Sequence, residues 1–258
     1  MMSNSQYLPG ESEYTPGNIG GPPGVEVNSS DFLHDYRPFP LPDLNGGIIG
    51  CQFFKQYYED RLFSALGVSF PPSLNKALPI RRAEYLAGRA LAKINLAQLH
   101  IFDHQLLPDR NGVPQWPTCI SGSLSHNRDM AICVTLPCEQ ARMVGIDIEK
   151  LISPEDAQLL WRHIISPQEY AFLLTQPLDF HQMLTLVFSA KESFYKLVFP
   201  KTRAAMIFHS VKIVAFDLSS GVFSLTIPDE LIALFPSRRY TEGRFLLMDD
   251  NVITFMRE

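Results

Sequence analysis

The chain has 258 residues, 46% of them hydrophobic, enough for one large domain or two small lobes with real cores. Its formal charge is −5, but residues 1–36 hold Glu11, Glu13, Glu26, Asp31 and Asp35 and no Lys or Arg, which leaves 22 acidic against 22 basic residues in the remainder. A neutral body argues against a general nucleic-acid binder, which would show a basic excess. Cys51, Cys119, Cys133 and Cys138 form no C-x-x-C pair and have no histidines nearby at zinc-like spacing, so they read as free thiols. There is no basic-then-apolar leader and no apolar run long enough to cross a bilayer, so the expected location is the cytoplasm.

Taken in chain order, residues 1–42 are rich in Pro, Gly, Ser and Asn and lack any sustained hydrophobic period. Such a segment buries too little apolar surface to offset its ordering entropy, which predicts a flexible tail; an irregular arm packed on the body is the alternative. The pattern becomes globular from Ile48. Ile80, Ala83, Ala87, Leu91 and Ile94 form one helical stripe, predicting a helix from Ile80 to Leu99. A loop follows from Leu107 to Pro114, and the small and polar residues from Ser121 lead into a strand over Ala131 to Leu136. A second strand runs from Met143 to Ile148. Pro154 to Leu174 and Leu184 to Phe199 read as helices, and Val211 to Glu258 as several strands with turns at Ser219-Ser220-Gly221 and Pro236-Ser237. Each half offers a long helix and several strands, which predicts two α+β lobes, 43–140 and 141–258.

Two segments carry chemistry. In Val144-Gly145-Ile146-Asp147-Ile148-Glu149 the alternation of a strand sets Gly145, Asp147 and Glu149 on one face, with the two carboxylates about 7 Å apart along the strand. Such a pair, with a glycine leaving room beside it, suits a hard divalent cation that takes phosphate oxygens as further ligands; the plainer reading is a solvated strand edge. In the helix around Phe188-Ser189-Ala190-Lys191-Glu192-Ser193-Phe194-Tyr195-Lys196-Leu197, Glu192 and Lys196 are four apart on one face and Lys191 lies beside them, while Met183, Val187, Phe194 and Val198 make the core face. Alone, that pair is an ordinary surface ion pair worth a few tenths of a kcal/mol.

Together, G-I-D-I-E and, about forty residues on, F-S-A-K-E-S-x-x-K resemble the signature of the 4′-phosphopantetheinyl transferase superfamily. Arg81-Arg82-Ala83-Glu84-Tyr85-Leu86-Ala87-Gly88-Arg89, Trp116-Pro117, Gly122-Ser123-Leu124-Ser125-His126 and Ile164-Ile165-Ser166-Pro167-Gln168-Glu169 look like its branch containing the enterobactin-synthase component. The resemblance covers roughly residues 45–258. It implies a surfactin-type monomer of two similar α+β lobes related by a pseudo-twofold axis, each with a small, mainly antiparallel sheet on a long helix, and coenzyme A in the cleft between them. It implies transfer of 4′-phosphopantetheine from coenzyme A to a serine of an acyl, peptidyl or aryl carrier protein, with release of 3′,5′-ADP. By the same resemblance Asp147, Glu149 and Glu192 match ligands of Mg2+, or Mn2+. Arg81 and Arg89 match residues that meet nucleotide phosphates, Ser125 and His126 the element beside the coenzyme, and Lys191 and Lys196 the motif lysines. The branch tilts toward siderophore-type peptide synthetases.

The residue types make chemical sense without the family. Attack of a hydroxyl on a pyrophosphate needs charge neutralised on bridging and non-bridging oxygens, and arginine's planar fork suits terminal phosphates. Glu192 is the favoured base, directly or through a metal-bound water, in competition with its role as ligand. Several choices stay open at this level. Arg82, nearer the azimuth of Arg89, competes with Arg81, and Asn111 stands where many relatives place a basic residue, so that Arg110 replaces it or the contact is missing. Hydrolysis of a nucleotide and carrier binding without catalysis are the competing functions.

Overall fold

The computed structural model describes residues 31–39, 47–205, 207–236, 238–248 and 250–258. The first half builds a four-stranded antiparallel sheet from β1 (Leu33–Pro38), β2 (Ile48–Phe53), β3 (Ile120–His126) and β4 (Met130–Pro137), in the order β1-β2-β4-β3. A short helix α1 (Arg61–Ala65) and the long helix α2 (Pro79–Gln98) lie between β2 and β3. The second half builds a five-stranded antiparallel sheet, β5-β9-β8-β7-β6, from β5 (Val144–Lys150), β6 (Ile213–Asp217), β7 (Val222–Thr226), β8 (Tyr240–Leu247) and β9 (Asn251–Arg257). Helices α3 (Pro154–Ile164), α4 (Pro167–Leu173) and α5 (Phe180–Thr202) follow β5. This is the mixed α+β architecture of two lobes, each with a long helix on an antiparallel sheet.

Side-chain alternation explains how the layers stack. On β4, Ala131 and Cys133 join Ala83, Leu86, Ala87, Ala90 and Leu91 of α2 in one core, whereas Met130, Ile132, Val134 and Leu136 turn the other way. There they meet Val144, Ile146 and Ile148 of β5 and Ile253 and Phe255 of β9 in a second apolar layer that joins the two sheets. Both faces of β4 are therefore buried, and each fully buried aliphatic side chain contributes about 1.5–3 kcal/mol. A third core packs Met183, Leu184, Val187, Ala190, Phe194 and Leu197 of α5 against Phe223, Leu225, Phe245 and Met256. The helices thus flank a pair of sheets, with α2 on the outer side of one and α5 on the outer side of the other.

Edge strands β3 and β5 meet at the junction without a backbone ladder. The Ile146 amide, free of a strand partner on that side, donates to Ser123 Oγ at 3.2 Å. Serine and glycine in β3 keep the strand slim enough for this approach and make Ile120–His126 hard to read as a strand from its composition.

Three expectations change. Leu33–Pro38, inside the segment 1–42 expected as a tail, is an edge strand on β2, with Phe32, Leu33 and Phe39 buried. Its alternation is hidden by an irregularity between His34 and Arg37, where Asp35 takes φ 51°. The rest of that segment lies outside the described residues. The helix expected over Pro154 to Leu174 is two, because Pro167 keeps Ser166 out of the α region and Ser166 then forms a capping box with Glu169. Ile80, counted in the buried stripe of α2, is exposed in the first turn; farther on, Leu86 to Ala97 is buried almost all round.

Candidate active site

Beside the β3–β5 junction lies a cavity of about 620 Å³, walled by α2, the loop 108–116, β3 and the C-terminal half of α5. Arg81, Arg89, Ser125, His126 and Lys196 line it. Asp147 stands next to it on β5 and is 1% exposed. One carboxylate oxygen, Oδ1, accepts from Ser125 Oγ at 2.7 Å and Lys196 Nζ at 2.5 Å, and the same ammonium donates to Ser125 Oγ at 2.7 Å. The other oxygen, Oδ2, is buried and has no hydrogen-bond partner among the described residues. A buried carboxylate oxygen left unpartnered is costly, and a bound cation or an ordered water would relieve it.

The neighbouring acids feel the same crowding. Burial first, then Asp147 and Glu192, push the Glu149 carboxyl up to about 8 against the opposing pull of Lys196. Burial likewise raises Glu192, with Lys196 pulling down and Asp147 pushing up. Asp147, Glu149 and Glu192, crowded together near the Lys196 ammonium, supply the oxygen donors that a hard divalent ion prefers. Among the described residues no three His, Cys, Asp or Glu side chains already form a closed ligand cluster. The charge and the orphaned Oδ2 fit the ion; a completed coordination shell is not laid out around it.

Gly145 has a different role from the one its sequence suggests. A Cβ there would lie 2.0 Å from Ser193 O and 2.8 Å from Leu197 N, so the space beside the strand belongs to the α5 backbone rather than to a ligand. Close approach is what lets Lys196, one turn beyond Glu192, reach across to β5. Ser189 and Ser193 complete the seam by bonding Thr254 of β9. Much of the F-S-A-K-E-S run is thus a packing surface.

Lys191 is turned away from this site. Its ammonium is fully buried on the far side of α5, 2.8 Å from Glu169 Oε1, and donates to Ile164 O at 2.9 Å and Phe208 O at 3.0 Å. At 100° per residue Lys191 and Glu192 cannot share a face that narrow, and the coenzyme contact expected of Lys191 is corrected to a core ion pair.

On the opposite wall Arg81 Nη1 donates to His126 Nε2 at 2.9 Å. Burial lowers the His126 pKa, with Arg81, Lys196 and Lys55 adding to the effect and Glu84 opposing it, so the ring is a neutral acceptor at neutral pH. Arg89 donates Nε to Leu106 O at 2.7 Å and stacks its guanidinium 4.3 Å over the Tyr85 ring. Arg82 is engaged elsewhere, with Leu74 O, Asn75 O and Asp60, which decides the choice between Arg81 and Arg82 in favour of Arg81 as the cavity residue. Asn111 and Gly112, but not Arg110, are among the lining residues. Trp116 lies flat on Gly122, where a Cβ would meet the indole at 2.4 Å. Glu84, Tyr195 and Phe199 also line the cavity and had been given no role by sequence; only their helical spacing from Arg81 and Lys196 could have flagged them.

A cavity lined by Arg81, Arg89 and Lys196, beside the buried Asp147 carboxylate, suits the class of enzyme that handles phosphorylated ligands. Comparison with known proteins gives the class its name. Residues 70–136 match the 4'-phosphopantetheinyl transferase N-terminal domain, and residues 143–247 match the 4'-phosphopantetheinyl transferase superfamily. Enterobactin synthase component D of Salmonella typhimurium is 33% identical over 182 residues, 68% of this chain and 71% of that protein. The 4'-phosphopantetheinyl transferase Svp of Streptomyces mobaraensis is 30% identical over 184 residues, 69% and 73% of the two chains. The 4'-phosphopantetheinyl transferase PptT of Mycobacterium tuberculosis is 31% identical over 153 residues, 58% and 65%. The chain belongs to the 4'-phosphopantetheinyl transferase superfamily. It is a transferase of that class, whose members place phosphopantetheine on carrier proteins.

Proposed function

We propose that the chain takes coenzyme A into the cavity and transfers its 4′-phosphopantetheine to a serine hydroxyl of an apo carrier domain, releasing 3′,5′-ADP, with Mg2+, or Mn2+, held by Asp147, Glu149 and Glu192. The observation that carries this reading is the buried, unpartnered Oδ2 of Asp147 beside a cavity lined by Arg81, Arg89, His126 and Lys196. When bound, the ion supplies Lewis-acid stabilisation of the pyrophosphate oxygens. Arg81 and Arg89 bind the phosphates at the nucleotide end. Lys196, already within reach of Asp147 and Ser125, offers its ammonium to charge that builds on the bridging oxygen. The serine oxygen forms a bond to the β-phosphorus as the pyrophosphate bridge breaks, and the serine proton passes to Glu192, whose carboxyl burial raises above its ordinary value.

Both walls of the cavity come from one chain, which supports a monomeric enzyme, and the coenzyme is an intracellular substrate, which supports a cytoplasmic one. No helix among the described residues is long and apolar enough to cross a membrane. Acyl, peptidyl and aryl carrier domains are the candidate acceptors, with siderophore synthetases favoured by the relatives' names. Incubation with coenzyme A, Mg2+ and a panel of apo carriers, followed by intact-mass measurement, tests the reading. A carrier that gains phosphopantetheine, and fails to do so with chelator, is the expected result; free phosphopantetheine with every carrier unmodified would instead indicate hydrolysis.

A further inference from the structure

The cavity wall contains an acid where an anionic ligand is expected. Among the described residues that line it, Glu84 is the one acidic side chain. Left unengaged, a carboxylate there would repel phosphates. Its charge is engaged from behind: Lys55, in the turn after β2 and outside the set of lining residues, donates Nζ to Glu84 Oε1 at 3.0 Å. The other oxygen, Oε2, faces Arg81 Nη1 at 3.5 Å and stands 3.9 Å from His126 Nε2. Glu84 and Arg81 are three apart on α2, so the helix fixes their spacing.

The exposures show which partner needs support. The Glu84 side chain is 15% exposed and that of Arg81 59%. An arginine so open would otherwise sample many rotamers, yet here its guanidinium is held between the carboxylate and the neutral imidazole. The anchored acid also separates cations that would repel one another once gathered on one wall.

We propose that Glu84 is a positioning residue: backed by Lys55, it fixes the Arg81 guanidinium and the His126 ring in the arrangement that receives a phosphate of the coenzyme, without touching the coenzyme itself. This rests on the assignment of the cavity to coenzyme A. A purely repulsive acid would have the opposite signature, because its removal would tighten binding.

The full chain carrying Glu84→Ala, Glu84→Gln or Lys55→Met is compared with wild type by calorimetric binding of coenzyme A and by transfer kinetics on an apo carrier. Glu84→Ala is expected to raise the Kd and the KM for coenzyme about tenfold while kcat stays within about threefold and the carrier's KM is unchanged, the size of one charge-assisted contact. Glu84→Gln, which retains an acceptor oxygen toward Arg81, should recover part of the loss, and Lys55→Met should lose affinity in the same direction but by less. Unchanged or tighter coenzyme binding in Glu84→Gln and Lys55→Met, or a fall in kcat at constant KM, overturns the proposal even where Glu84→Ala folds poorly. A wild-type chain that binds no coenzyme overturns the assignment of the cavity as well, so the two failures are told apart by the first titration.

Discussion

At the scale of single residues, Asp147 and Lys191, one side chain from each of the two motif segments, have opposite fates, and their variants should fail in opposite ways. Asp147→Asn keeps the shape of the buried side chain and an acceptor for Ser125 and Lys196 but removes the charge that would hold a cation. Transfer should fall at least about 100-fold, the scale seen when a group stabilising transition-state charge is lost, while thermal unfolding stays near wild type. Binding of Mn2+, followed by electron paramagnetic resonance, should weaken in parallel. Lys191→Ala instead strands the Glu169 carboxylate in the core, together with the two carbonyls the ammonium served. Removing one partner of such a pair costs about 3–5 kcal/mol, so denaturant titration should show a marked loss of stability, and the protein that remains folded should keep its KM for coenzyme.

At the scale of elements, the seam between α5 and β5 sets how closely Lys196 and Glu192, the groups proposed for catalysis, approach Asp147. Gly145→Ala puts a methyl group against the backbone of Ser193 and Leu197, which no flexible side chain can relieve. The helix must shift, at a cost of about 1–3 kcal/mol or more, and Lys196 and Glu192 move away from Asp147 with it. Reduced stability and reduced kcat should appear together, in contrast to the separate losses above. The β6–β7 hairpin gives a pH test remote from the site. Bonds from Ser219 first, then Ser220, hold the Asp217 carboxyl down to about 2, below the ordinary carboxylate value of about 3.9. A depressed folded-state pKa stabilises the fold above about pH 4, and this contribution is lost as pH falls through about 2. Asp217→Asn should therefore flatten the acid limb of stability between those values in a pH series of chemical denaturation.

At the scale of the whole molecule, the cavity is closed where the loop after α2 meets the end of α5. Asp109 Oδ1 accepts from the amides of Asn111 and Val113, and its Oδ2 pairs with Arg203 at 2.7 Å, so one carboxylate shapes the loop and ties it to the other lobe. The pair is partly exposed, so solvent screens it and its loss should matter little to stability. Arg203→Ala should leave the melting temperature nearly unchanged yet raise the KM for coenzyme a few-fold, because the loop bearing Asn111 and Gly112 is freed from its distal tether. Rescue by Arg203→Lys would identify the charge as the tether.

The sequence alone determined the features that local periodicity encodes. The spacing of Ala83, Ala87 and Leu91 marked α2, the alternation through Ile146 and Ile148 set Asp147 on the face opposite the apolar layer, and the paired motifs gave the family. Those signals are local because side-chain direction follows from backbone repeat. The partners were decided only in three dimensions. Nothing in the spacing of 169 and 191 says that Lys191 ends in the core, nothing in Gly145 says that a helix rather than a ligand fills the gap, and the ties from Lys55 and Ser125 cross 29 and 22 residues of chain. Packing selects which of several compatible faces is buried, and that choice belongs to the assembled sheets and helices rather than to any one segment.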